Sequence, residues 1–396
     1  MVMASTIQEV LRPFFVMCFI IGIGVYPMKQ PKPEIRRTIY LSILYSLTIW
    51  FAYGYFLYNT LNIFTLKKLY RSTFTIAVFI INIVITITSM IMTFFYQKRL
   101  EMCMMKLTVV DDTLEKLGTS KMYQKMHILS KRVLVGWIIY CFATNIYDMK
   151  WWIQKKEISS WGLVLPFILN HCPHSNTFVE LLFIFILWHI GIRFDKVNEH
   201  VRCLLVKKDH QFRCAWKKPV VTFLHQYVWN YKQTLWASMH LHLELCRIAR
   251  ELNLIFGMQT TIETVSYLLI ITALCYYLCL IWIHQIKVSI YNMSQLIVWI
   301  LIYFVRFCAI NLMCENVCIK ANKISMVVHQ LTNIIRYADI SEEICQFALQ
   351  AAQHPLKFNG IGFFFLGNVF IQKFCMAVLT FVIITAQMNM YVSNLE

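Results

Sequence analysis

Charge is scarce in this sequence. Of 396 residues only 14% are Asp, Glu, Lys or Arg, against about a quarter in an average soluble domain. Acidic residues are the scarcer sign, 20 against 37 Lys and Arg. With 59% hydrophobic residues, a soluble fold would leave more apolar surface in water than it has polar groups to cover. This excludes a simple cytosolic enzyme and a disordered chain. Glycine is also sparse, at 11 residues, and aromatics reach 15%, which excludes collagen-like and low-complexity chains. What is present instead is long apolar runs and a mean hydropathy of +0.57, the composition of an integral membrane protein.

Catalytic signatures are missing as well. There is no Gly-rich phosphate loop, no G-x-S-x-G elbow and no H-E-x-x-H, so neither an enzyme nor a cofactor is expected. The 14 cysteines are scattered, and no two have C-x-x-C spacing. Cys141, Cys275, Cys279 and Cys375 lie inside apolar runs, where thiols behave as small apolar groups; Cys172 is the main candidate to meet an oxidising compartment. The run His171-Cys172-Pro173-His174 has metal-ligand residue types, but Pro173 is expected to stop a helix and no second His/Cys pair completes a site, so no metal is expected. Few acidic residues lie within spans and no internal repeat is visible, which disfavours a proton-relay transporter.

The chain reads as all-α, a polytopic membrane protein with seven transmembrane helices. The apolar runs are Ile39–Asn59, Thr73–Tyr96, Val133–Tyr147, Thr177–Ile192 (begun by Trp161–Leu169), Thr261–Ile283, Leu296–Cys314 and Asn368–Met390. Residues 39–390 thus form a single membrane domain. Residues 1–38 precede it; their apolar stretch Phe14–Tyr26 is short for a span and reads as a re-entrant or interfacial segment rather than a cleaved signal.

Lys and Arg set the orientation. Counted between spans, 28 fall on the side of the N terminus and seven on the other. Positive charge marks the cytoplasm, so the N terminus is expected inside and the C terminus outside, the inverse of a G-protein-coupled receptor. The basic excess is topogenic and suits an anionic lipid surface; no nucleic-acid partner is expected.

The connections on the N-terminal side are long and helical in pattern. Leu241, Leu245, Ile248, Leu252 and Ile255 recur at steps of 4 and 3, and Val317, Ala321, Ile324, Val328, Leu331 and Ile335 repeat the pattern. The fifth to seventh helices are therefore expected to extend into a cytoplasmic anchor bundle built from about 193–260 and 315–358. Leu252, Phe256, Ile324, Val328 and Leu331 are its anchor or interface candidates, packing either within one chain or between subunits. A further helix is expected over Ser341–His354, ended by Pro355. Gly360, Gly362 and Gly367 then break the chain before the last span.

Polar residues within spans mark candidate sites. Arg306 lies mid-span in the sixth helix and either pairs with Glu180 of the fourth, snorkels, or faces water. The outer halves of spans three to six carry Thr144, Asn145, Tyr147, Asn170, His171, Tyr276, Tyr277, Trp282 and Tyr303. With Arg306 these are the ligand-binding candidates, a mixed aromatic and polar lining that suits small organic molecules; the competing reading places the aromatics in the interfacial belt. On the last span, Thr380, Ile384, Gln387 and Tyr391 share one face. A helix around a central water path would use such a Gln, with Ile383, Ile384 and Met388 as apolar gate residues beside Thr380 and Gln387.

The stretch Thr380-Phe381-Val382-Ile383-Ile384-Thr385-Ala386-Gln387-Met388 resembles the terminal motif of insect gustatory receptors: Thr-Tyr, five mostly hydrophobic residues, then Gln-Phe. Phe381 stands where the motif has Tyr, and Met388 where it has Phe. Three further segments are similar to the family: Leu11-Arg12-Pro13 followed by Gly22 and Pro27, Leu252-Asn253-Leu254-Ile255-Phe256-Gly257, and Asn359-Gly360-Ile361-Gly362-Phe363-Phe364. The resemblance implies a tastant-gated, non-selective cation channel, a homo- or heterotetramer of gustatory receptor subunits in the plasma membrane of gustatory sensory neurons. The last helix of each subunit, about 368–390, would line a central pore for permeating cations, and a small-molecule tastant would bind among spans two to six. Insect odorant receptors, which work with a co-receptor, share the architecture and are the alternative.

Overall fold

The computed structural model describes residues 6–24, 32–63, 73–154, 163–214, 221–283, 290–334 and 338–393, with backbone only at 32–38, 60–63, 73–76, 151–152, 154, 204–214, 221–232, 329–334, 338–341, 343 and 389–393. Its elements are the helices α1 (Ile7–Ile21), α2 (Lys32–Ile63), α3 (Thr73–Lys116), α4 (Tyr123–Gln154), α5 (Leu165–Leu169), α6 (His171–Cys214), α7 (Val221–Ile283), α8 (Ile290–Ile334) and α9 (Ala338–Gln353), the strands β1 (Asn359–Gly360) and β2 (Phe364–Phe365), and α10 (Asn368–Ser393). Among the described residues, seven helices are long and apolar enough to span: α2, α3, α4, α6, α7, α8 and α10. Helix is the only open-ended way to satisfy every backbone N–H and C=O in lipid, so uninterrupted apolar runs become helices. The seven spans agree with the sequence reading.

The fourth span differs in its start. Residues 165–169 form the separate helix α5, and the spanning helix begins at His171. Pro173 does not stop it, because it lies in the first turn, where the missing N–H would have no intrahelical partner anyway.

Several helices outrun the membrane. At about 1.5 Å per residue, the 63 residues of α7 are about three times a 30 Å hydrocarbon core. The extension is not confined to the fifth to seventh spans, since α3 and α6, at 44 residues each, also run on past their apolar parts. The stretch of α3 beyond Tyr96 is held by a buried stripe, Cys103, Met104, Leu107, Val110 and Leu114. The four long helices and α9 gather at one end of the bundle, here the α9 end; α5 marks the opposite end.

Helix α6 is the axis of the fold. Of its most apolar 18-residue stretch 78% is buried, against 11% for α2 and for α10. It packs on α3, α7 and α8. Helix α1 closes the side of this core. Its buried residues Ile7, Val10, Leu11, Phe14, Cys18 and Ile21 form one stripe, and Phe14 meets Phe178 and Phe185 at 5.6 and 4.9 Å. The helix starts seven residues before the apolar stretch at Phe14, capped by Thr6, and ends at Gly22 (φ 80). Trp50 donates to the Gly22 carbonyl at 3.1 Å, tying α1 to α2.

The anchor candidates resolve differently from an intersubunit face. Leu252, Phe256, Ile324 and Val328 are all buried in the core of their own chain; the side chain of Leu331 lies outside the described residues. A residue enclosed by its own chain has no surface left for a neighbour. The outward side of the same stretch of α7 carries Leu243, Leu254 and Met258.

Candidate functional site

At the α5 end, α4, α6 and α8 meet along a ladder of polar side chains. Its first rung is Asp148 of α4, which accepts from Asn170 at 2.7 Å and, more weakly, from Gln295 at 3.3 Å and Trp299 at 3.4 Å of α8. Asn170 also donates to Asn145 at 3.0 Å. At the rim, Tyr147 and Ser294 share a hydrogen bond of 2.8 Å, and Tyr291 donates to the Tyr147 carbonyl at 2.7 Å.

One helical turn deeper, residues four apart share a face. Thr144 lies under Asp148, and His174 lies under Asn170. The Thr144 hydroxyl donates to the Tyr140 carbonyl at 2.9 Å and stands 3.3 Å from His174 Nε2. His174 Nδ1 and Ser175 Oγ are buried with no hydrogen-bond partner among the described residues.

The next rung is aromatic. Tyr303 is buried between Trp299 and Tyr267, with ring centroids 5.8 and 5.9 Å away. Below it Arg306 grips Glu180 with Nε and Nη2, each at 2.9 Å. The Tyr267 hydroxyl also donates to Glu180. The guanidinium carbon lies 5.3 Å from the Tyr267 ring and 5.8 Å from the Tyr303 ring. Glu263 is buried beside this group and accepts from Gln259 at 2.9 Å. Of the alternatives open in the sequence for Arg306, the ion pair is the one formed.

The ladder thus collects Thr144, Asn145, Tyr147, Asn170, Tyr303 and Arg306. It does not collect the other four candidates. His171 turns to α2, its ring 5.2 Å from Trp50 and 5.0 Å from Tyr53. Tyr276 is half-buried on α7, while Tyr277 and Trp282 are exposed there, Trp282 to 84%. Sequence reading passed over Asp148, His174, Trp299, Glu263 and Tyr267 as ladder residues. Glu263 carried a readable signal, an acid inside the fifth apolar run; the others needed the packing. Among the described residues no group of three or more His, Cys, Asp or Glu side chains is placed to hold a metal.

A second buried ion pair lies toward the α9 end, where Arg193 donates to both oxygens of Asp111 at 2.7 and 2.5 Å and Tyr123 donates to the same carboxylate at 2.7 Å. The cleft beside it measures about 40 Å³, room for about one water rather than an organic ligand.

The last span leans on α7 and α8, with Phe374 stacked on Phe307 at 3.9 Å. Thr380, Ile383, Ile384, Gln387 and Met388 are all exposed on the single chain, and the Tyr391 side chain lies outside the described residues. The segment entering this helix is clasped by three asparagines. Asn253 of α7 donates to Asn359 Oδ1 at 2.8 Å and accepts from its N–H at 3.2 Å. Asn322 accepts from the Leu356 N–H at 3.0 Å and donates to its carbonyl at 3.2 Å. Asn311 accepts from the Gly367 N–H at 3.0 Å. Between these clasps Gly360 and Gly362 lie in a hairpin, with Asn359 opposite Phe365 and Gly360 opposite Phe364, and Gly367 follows it just before α10.

Known proteins are similar to this chain in sequence and in fold. A family model described as 7tm chemosensory receptor matches residues 11–391. The chain is 22% identical over 416 residues to putative gustatory receptor 28b of Drosophila melanogaster, covering 98% of this chain and 87% of that one. Its fold is similar to the solved structure of the olfactory receptor OR5 of Machilis hrabei, with a TM-score of 0.52 at 14% identity, covering 96% of this chain and 98% of that one. Seven spanning helices packed around a buried fourth, with a match running over nearly the whole sequence, are the features of a receptor and not of an enzyme: this multi-pass membrane protein belongs to the 7tm chemosensory receptor family.

Proposed function

We propose that this chain is a gustatory receptor subunit, a tastant-gated, non-selective cation channel of the plasma membrane of sensory neurons. The carrying observation is α10. Only 11% of its apolar stretch is buried, yet its exposed surface mixes Thr380 and Gln387 with Ile383, Ile384 and Met388. Lipid gives no reason for a Gln there; a water path shared with neighbouring subunits does.

In this reading a homo- or heterotetramer places four α10 helices around one pore, with the apolar residues closing it by dewetting. The α9 end lies in the cytoplasm, following the Lys and Arg asymmetry, and forms the anchor through the outward faces of its helices. The tastant binds in the ladder of α4, α6 and α8. It opens the pore only by binding the open state more tightly than the closed one. The clasped segment between α9 and α10 carries that difference, because α8 supplies both Arg306 and Tyr303 to the ladder and Asn311 to the clasp.

The test is expression of this chain alone, with whole-cell recording during tastant application. A cation current altered in permeation by Gln387→Ala is the expected result. A current that appears only with a second subunit points to the odorant-receptor mode. Unchanged permeation in Gln387→Ala removes α10 from the pore.

A further inference from the structure

We infer that the ladder selects cationic ligands, small molecules with a protonated amine whose N–H groups bond the Asp148 carboxylate and the open Nδ1 of His174. This rests on the ladder being the ligand site, as proposed above, and adds the chemistry of what it takes.

The first observation is the state of Asp148. It is 95% enclosed, its relative exposure being 5%. Among the described residues its carboxylate meets only neutral donors, and two of the three reach it at 3.3 and 3.4 Å, the long end of hydrogen bonding. The other ladder acid in contact with α8, Glu180, has a guanidinium; Asp148 has none among the described residues. A carboxylate taken out of water is stable only with a compensating charge or proton.

The second observation is independent and comes from His174, itself buried. The Thr144 hydroxyl proton is used in the bond to the Tyr140 carbonyl at 2.9 Å. Thr144 Oγ1 therefore meets His174 Nε2, at 3.3 Å, as an acceptor. That places the imidazole proton on Nε2 and leaves Nδ1 as a lone pair with no partner among the described residues, since a neutral ring has one donor and one acceptor. A buried acceptor without a donor asks for an N–H or O–H from a ligand. His174 lies one turn below Asn170 and Thr144 one turn below Asp148, so the open ring nitrogen and the carboxylate belong to neighbouring rungs of the same ladder.

Charge and shape agree. Glu180 is matched by Arg306, so the one ladder carboxylate in contact with α8 and without a cation among the described residues is Asp148, where a cation is favoured over an anion. Trp299, whose indole N–H reaches Asp148, and Tyr303 packed on it make an aromatic surrounding that suits an ammonium and its hydrocarbon body. An alcohol satisfies the open nitrogen but brings no charge to Asp148. The ammonium does both.

The experiment uses full-length receptor in lipid nanodiscs and three probes of one shape: phenethylamine, 2-phenylethanol and phenylacetate. Thermal unfolding is followed as each is titrated. The amine is expected to raise the midpoint with an apparent affinity about tenfold or more above the alcohol, as a charge-assisted bond should give, and phenylacetate is expected to do nothing. In Asp148→Asn the advantage of the amine over the alcohol is expected to disappear. Equal affinities for amine and alcohol, no stabilisation by the amine, or an amine preference that survives Asp148→Asn each overturn the inference. The wild-type comparison decides it even if the variant does not fold. Currents are recorded in parallel: amine binding without current overturns the channel reading alone, and current without amine preference overturns this inference alone.

Discussion

Arg306 and Glu180 are separated by 126 residues of sequence and meet through two hydrogen bonds of 2.9 Å in the buried middle of the bundle. The pair joins α6, the most enclosed helix, to α8, which also clasps the entry to α10. It therefore sits where a ligand-induced shift of α8 would be transmitted, and its rigidity limits how α6 and α8 slide.

The energetic consequence is asymmetric. Removing one partner leaves the other charge buried and uncompensated, at a cost of about 3–5 kcal/mol. Glu180→Gln and Arg306→Met should each lower the thermal midpoint in nanodiscs strongly. The double variant should recover more than half of the loss, because no charge remains to be desolvated. A double variant as unstable as the sum of the singles would mean that the pair acts through packing alone.

The asparagine clasp gives a gating prediction. Asn311→Ala leaves the Gly367 N–H, now bonded at 3.0 Å in a buried setting, without an acceptor, a loss of about 1–3 kcal/mol. If the clasp transmits the movement of α8, the tastant concentration for half-activation should shift by about tenfold, since each 1.4 kcal/mol is a factor of ten. Single-channel conductance should stay as in the wild type. A conductance change would place Asn311 in the permeation path instead.

Gly367 itself has φ 151, a conformation open essentially to glycine alone. A Cβ there would also collide with the Glu315 carboxylate. Gly367→Ala should therefore reduce folded receptor at the cell surface, and Gly367→Ala combined with Glu315→Ala should restore only part of it. Surface biotinylation measures both. Full rescue by the second change would show that the collision, not the backbone, is what glycine avoids.

Cysteine reactivity should separate α1 from α9. Burial pushes the Cys18 thiol from 9.0 up to about 12, because desolvation penalises the thiolate. Cys345 on α9 is exposed. With single-cysteine variants at pH 7.5, maleimide should label Cys345 readily and Cys18 only after unfolding. The sign of the linkage follows. An acid held protonated by the fold binds its proton more tightly than the unfolded chain does, so the Cys18 contribution is full below about pH 9 and falls as pH rises toward 12. A Cys18 labelled in the native state would mean that α1 detaches from the core.

Much of this was readable from residue order. Apolar run length identified all seven spans, because lipid accepts only hydrogen-bonded helix over that distance. The heptad-like stripes of α7 and α8 announced their extension, and three glycines announced the break before α10. The misreadings have one cause. Trp161–Leu169 and Thr177–Ile192 look continuous in hydropathy, yet the turn at Asn170 separates them, and that turn is fixed by side-chain bonds to Asp148 and Asn145 on another helix. The α3 extension is missing from the anchor expected over 193–260 and 315–358 because its stripe mixes charged residues with Met and Cys; its packing on α7 is what brings it there.

The sequence alone determined the class of solvent, the number of spans and the residue types at each depth, since these depend on local composition and period. Only the tertiary structure decided which polar groups meet: Arg306 with Glu180 and not with water, Thr144 with His174, Asp148 with no cation among the described residues, and Leu252 and Ile324 inside one chain instead of between chains. Pairing of buried charges is a property of distance in space. Residues 126 apart in the chain become neighbours only when helices pack, and a one-residue rotation of either helix would have paired different groups.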